Sequence, residues 1–136
     1  TEAVRHEFQH NKINVASYEL ELIENAFHPL YPSPVRPDPR PLWGILLAVH
    51  AFLPVAELCR RIRDGGDPLA SQSGFDARLS EIDLKNHEGM EMLRAHARLT
   101  PAGRALFGEL EEIERRHLAE RTARGLSNVP TKVHLA

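Results

Sequence analysis

Between His28 and Pro41 the chain carries six of its ten prolines, at positions 29, 32, 34, 37, 39 and 41. Each proline fixes its own φ, lacks an N–H and drives the preceding residue into extended backbone. No helix and no inner strand can form across such a stretch, so it reads as an irregular or polyproline-like connector. Whatever precedes it must pack as a separate element against whatever follows. A connector this long in a 136-residue chain is more often a functional loop than filler.

Both flanks have helical patterns. From Glu2 to about Phe27 there is no Gly or Pro, and Ile13, Ala16, Leu20, Ile23 and Phe27 recur at steps of three and four, which predicts one long amphipathic helix. The same stripe extended backwards meets His10 and His6. Val4, Phe8, Val15 and Leu22 form a second apolar stripe, as expected of a central helix. Leu42 to about Arg63 predicts a second helix, basic at its end and stopped by Gly65-Gly66, with a kink at Pro54, which cannot donate to the carbonyl of His50. Residues 64–74 read as a loop and Phe75 to about Ala97 as a third helix, its period blurred by Gly89. Thr100 as N-cap and Pro101 as first helical residue open a last helix running to about Arg124. With no alternating strand of useful length, the expected class is all-α: a helical domain over 1–124 and a tail over 125–136.

The composition, 42% hydrophobic and 26% charged, suits a globular chain, and a formal charge of -2 gives no reason to expect a nucleic-acid partner. A single cysteine, Cys59, cannot form an internal disulfide, which favours a reducing compartment, hence the cytoplasm. No apolar run of spanning length and no secretory leader are apparent, so no membrane role is expected. The start at Thr1 points to a processed or fragmentary piece of something longer.

His6-Glu7-Phe8-Gln9-His10 is an H-E-x-x-H box. On a helix its two histidines share one face and can reach one metal ion. In zinc peptidases the glutamate activates a metal-bound water, which would make Glu7 a general base. The extended metzincin pattern fails, because Ile13 and Ala16 stand where Gly and a third His are required. Glu19, Glu21 and Glu24 continue the same helix and fit poorly as a gluzincin ligand. His50, beside the expected kink, is the better third ligand. Glu57, two turns further on, is the alternative ligand or a hydrogen-bond acceptor near the metal, unless it simply pairs with Arg61. Three protein ligands leave three open positions on an octahedral ion, enough for a chelating 2-oxo acid and dioxygen on ferrous iron, whereas zinc would place water there. Arg36 and Arg40 offer bidentate forks for a carboxylate. On extended backbone they would stand about 12 Å apart, so only one could grip a small dianion, and the alternative is a solvated turn in which an arginine pairs with Asp38. His28, His87, His96, His117 and His134 lack ligand spacing and are expected to be structural or on the surface.

Taken together, the box with Lys12, then Tyr31, the run Arg36-Pro37-Asp38-Pro39-Arg40-Pro41-Leu42, His50-Ala51-Phe52 with Val55, and Leu99-Thr100-Pro101-Ala102-Gly103-Arg104 resemble the HExxH-type, 2-oxoglutarate-dependent peptide β-hydroxylases. The likeness covers about residues 4–63, with support from the Leu-Thr-Pro element. It implies an Fe(II) enzyme with 2-oxoglutarate as co-substrate. Such an enzyme hydroxylates a side-chain β-carbon in a ribosomally made precursor peptide of a natural-product pathway. It assigns His6 and His10 to the metal, and His50 with less support. Arg40, then Arg36, is assigned to the co-substrate carboxylate, and Glu7 loses its obligatory role as base. Members of the family carry a further region before the box, which a preceding segment or a companion chain would supply. Two other readings stay open: a zinc peptidase with Glu7 as base, and a non-catalytic helical peptide-binding module that docks partners on its Pro-rich loop.

Overall fold

The computed structural model describes residues 2–6, 21–34 and 36–126. In chain order these form α1 (residues 2–6), β1 (Leu30–Tyr31), β2 (Arg40–Pro41), α2 (Leu42–Asp64), a 3₁₀ turn (Pro68–Ser71), α3 (Phe75–His96) and α4 (Pro101–Ala123). The class is all-α, as the sequence patterns indicate.

At the centre is α2. Its Leu42, Ile45, Leu46, Val49 and Leu53 recur at helical spacing and are buried against Met90 and Leu93 of α3 and Phe107 and Leu110 of α4. Each such side chain contributes roughly 1.5–3 kcal/mol on burial. Close approach of α3 to α2 depends on Gly89, where an added Cβ would stand 2.5 Å from Val49 Cγ2. The residue that blurs the helical period of α3 is thus the one that lets the two helices meet. As expected, α2 is one helix from Leu42 to Asp64 with Pro54 inside it. It is also long and apolar enough to cross a membrane, with a mean hydropathy of 1.8, which corrects the expectation that no such run exists. Most of that window is buried inside the fold, as in the core helix of a globular domain.

The predicted first helix does not reach Phe27. Residues 21–26 form no helix, because the connection between α3 and α4 claims their backbone. Thr100 donates from its N–H to Leu22 O (3.1 Å), its hydroxyl donates to Glu21 O, and Glu24 N–H donates to Arg98 O (2.8 Å). Ile23 pairs with Leu99 in an isolated antiparallel bridge. At the same time Thr100 caps α4 as predicted, accepting from Gly103 N–H at 3.0 Å. Gly103 is needed there, since a Cβ would fall 1.9 Å from Leu22 O. Ala26 O in turn accepts from Trp43 N–H (2.9 Å), satisfying one of the free donors at the start of α2.

A polar network ties α2, α3 and α4 together. Arg60 grips Asp83 with both Nη atoms (2.9 and 2.7 Å), Arg121 reaches the same carboxylate at 3.2 Å, and Glu120 pairs with Arg60 and Arg63. Arg60, Asp83 and Arg121 are all buried.

Candidate functional site

The Pro-rich connector folds back on itself. Leu30 pairs with Pro41 and Tyr31 with Arg40, so eight residues close a loop rather than running out as an extended chain. Tyr31 stacks on His96 at the end of α3, with ring centroids 4.4 Å apart, which anchors this loop to the helical body. Within it Arg36 and Arg40 approach the same carboxylate, their Nε atoms lying 3.5 and 3.4 Å from the oxygens of Asp38. The expectation that only one of the two arginines could reach a small anion is therefore corrected by the bent backbone, and the alternative of a solvated turn in which an arginine pairs with Asp38 is what the loop forms. A backbone hydrogen bond at Asp38, reinforced by the two guanidinium charges, holds its carboxyl below the usual range.

Across from the loop, α1 lies on α2 and α3. Arg5 donates to Pro54 O at 3.2 Å, the His6 ring tilts against Phe52 with centroids 4.8 Å apart, and Glu2 pairs with Arg78 at 2.7 Å. Beside these contacts lies an open cavity of about 380 Å³. Its wall includes His6 from α1, Arg36 and Arg40 from the loop and β2, Gly44, Leu47, Ala48 and Phe52 from α2, and Arg78, Ile82 and Lys85 from α3. Among the described residues that line it there is no carboxylate. Asp38 and Glu81, which pair with these cations, hold them from outside the lining. Arg40 Nε is buried and makes no hydrogen bond, its approach to Asp38 being an ion pair without hydrogen-bond geometry. A buried donor in that state gains free energy from an oxygen acceptor.

Of the residues singled out by sequence, the fold brings His6, Arg36 and Arg40 to one cavity. Glu7 and His10 lie outside the described residues. His50 is buried but does not line the cavity. It stands two residues from Phe52 on α2, about 200° of helical rotation, so it faces another side of the helix from the ring that meets His6. Glu57 is withdrawn as a ligand: it accepts from His117 Nε2 at 2.5 Å and pairs with Arg116, both on α4. Burial raises the Glu57 pKa, but the hydrogen bond and charge of His117 outweigh it, so the carboxyl stays below the usual range. Burial, together with the charge of Arg60, holds His117 below the ordinary histidine value. Arg78 and Lys85 were not picked out from sequence, although the spacing Arg78, Ile82, Lys85 sets all three on one face of a helix.

Arg36 and Arg40, with one imidazole across an apolar floor, can hold a carboxylate of a small dicarboxylate and orient it. For a metal, His6 brings a donor of the right chemistry to the same wall. The surrounding positive charge opposes a bare divalent ion and favours one that arrives with an anionic chelator. No family model matches the sequence, and no curated protein is significantly similar to it.

Proposed function

We propose that the protein is an Fe(II)- and 2-oxoglutarate-dependent hydroxylase acting on a side-chain β-carbon of a ribosomally made precursor peptide in the cytoplasm. The observation that carries this is the shared cavity: a histidine of the metal box and both arginines of the Arg-Pro segment line it together with no carboxylate among its described lining residues. A dianionic co-substrate needs a cationic seat beside the metal, which Arg36 and Arg40 offer, whereas hydrolysis by a metal-bound water does not call for one.

His6 and His10 would hold the iron. When bound, iron supplies the dioxygen chemistry that couples oxidation of 2-oxoglutarate to succinate and carbon dioxide with insertion of one oxygen atom into a peptide C–H bond. Arg40, with Arg36 beside it, takes the distal carboxylate and exchanges its weak ion pair with Asp38 for a bidentate one. Leu47, Ala48, Phe52 and Ile82 exclude water around the chain of the co-substrate. Metal and dianion assist one another, since each offsets a charge that opposes the other, so iron binds more tightly with 2-oxoglutarate present. Glu7 needs no proton-transfer role. The reading does not depend on His50 as third ligand.

The test is metal analysis of protein prepared without oxygen, followed by succinate release on adding 2-oxoglutarate and candidate peptide. Iron and 2-oxoglutarate-dependent succinate are expected. Zinc with peptide cleavage independent of 2-oxoglutarate, or metal-free protein with neither activity, overturns it.

A further inference from the structure

We propose that Arg78 and Lys85 form a second anion subsite in this cavity, which takes a carboxylate side chain of the peptide, so that the substrate presents Asp or Glu at or beside the modified residue. The inference rests on reading the other half of the cavity as the co-substrate site. Two cationic jaws are visible, each braced from outside the lining. Asp38 braces Arg36 and Arg40, while Glu81 lies 2.9 Å from Lys85 Nζ and 3.7 Å from Arg78. Glu2 adds a pair to Arg78 at 2.7 Å. All the pairs of the second jaw lie at the surface, where an ion pair is worth roughly 0–1 kcal/mol and exchanges readily for another carboxylate.

Charge then separates the two jaws by role. A ferrous ion and 2-oxoglutarate are together neutral, so their arrival leaves Arg78 and Lys85 with only their surface partners Glu2 and Glu81. One dianion is too small to occupy both jaws and the iron at once. Ile82 lies between Arg78 and Lys85 on the same helix face and lines the cavity with them. It suits the methylene of a short acidic side chain whose carboxylate reaches the two cations.

The full chain, loaded anaerobically with Fe(II) and 2-oxoglutarate, is titrated with two capped pentapeptides that differ only by Asp or Asn at the centre. At low salt the Asp peptide is expected to bind about tenfold more tightly. The Arg78→Gln/Lys85→Gln double variant, and Lys85→Gln alone in part, should remove that preference while 2-oxoglutarate affinity changes less than about twofold. Equal binding of the two peptides, absence of binding by both, or parallel loss of peptide and 2-oxoglutarate affinity in the double variant overturns the proposal. If 2-oxoglutarate fails to bind while the Asp preference persists and follows Arg78 and Lys85, the hydroxylase reading falls and the acidic subsite stands.

Discussion

The cavity and the network around Arg60 are both built from basic side chains facing carboxylates, yet they differ in where the carboxylates sit. Around Arg60 every cation is matched inside the cluster: Asp83 serves Arg60 and Arg121, and Glu120 serves Arg60 and Arg63. Around His6 the carboxylates stand behind the cations, and the wall itself presents only positive charge. The first arrangement consumes its charge in joining three helices. In the second the cations keep their partners outside the lining, and the proposed function gives their open side to an anionic ligand. Arginine content alone distinguishes nothing; the position of the counter-charge does.

The largest expected effect breaks the matched cluster. Asp83→Ala leaves Arg60 and Arg121 buried without their shared partner and should cost about 3–5 kcal/mol in denaturant unfolding. A loss under about 1 kcal/mol would mean that the cluster is not the closed network it resembles. Next comes the seam between the start of α4 and Leu22. Gly103→Ala places a methyl into Leu22 O and should cost roughly 1–3 kcal/mol, while Gly108→Ala, with open space around it in the same helix, should stabilise by about 0.5–1 kcal/mol.

Smaller still is the acid response of the Glu57–His117 pair. The unfolded chain binds protons more readily than the folded one at both groups, since both folded pKa values are lowered. Stability contributed by His117 is therefore full above its ordinary value of 6.5 and falls as pH drops below it, and that of Glu57 falls below 4.5. Thermal unfolding followed from pH 7.5 to 4 should show a decline beginning near 6.5, and His117→Gln should remove that upper part of the slope. A flat profile in the original protein contradicts a His117 whose burial outweighs its pairing with Glu57. The smallest effect marks the open cavity: Arg40→Gln should change folding stability by less than about 0.5 kcal/mol, because its pair with the exposed Asp38 is long and lacks hydrogen-bond geometry.

These contrasts track what was legible in the sequence. The cap at Thr100-Pro101, the stop at Gly65-Gly66 and the start of α3 at Phe75 depend on neighbours a few residues away, and they stand where local chemistry puts them. The end of the first helix does not. Glu21–Ala26 has a helical pattern, but Arg98 and Thr100, more than seventy residues on, supply the hydrogen bonds that win. The site divides in the same way. Arg36, Arg40 and His6 are visible as residue types in a suggestive order, yet their meeting depends on the reversal at β1 and β2 that spacing along an extended chain conceals. Glu57 has a plausible ligand position until α4 brings His117 to it. Arg78 and Lys85 reach the cavity only because α3 packs along α2 at Gly89, a contact no local pattern announces.

The most direct test of the difference between the two basic clusters is the affinity of the anaerobic, Fe(II)-loaded protein for 2-oxoglutarate, measured by calorimetric titration alongside thermal unfolding. Arg40→Gln should weaken binding by about tenfold to a hundredfold with an unchanged unfolding temperature, the loss of a charge-assisted bidentate contact. Unchanged affinity, or a loss of affinity matched by a loss of folding, contradicts the assignment of this cavity to an anionic co-substrate.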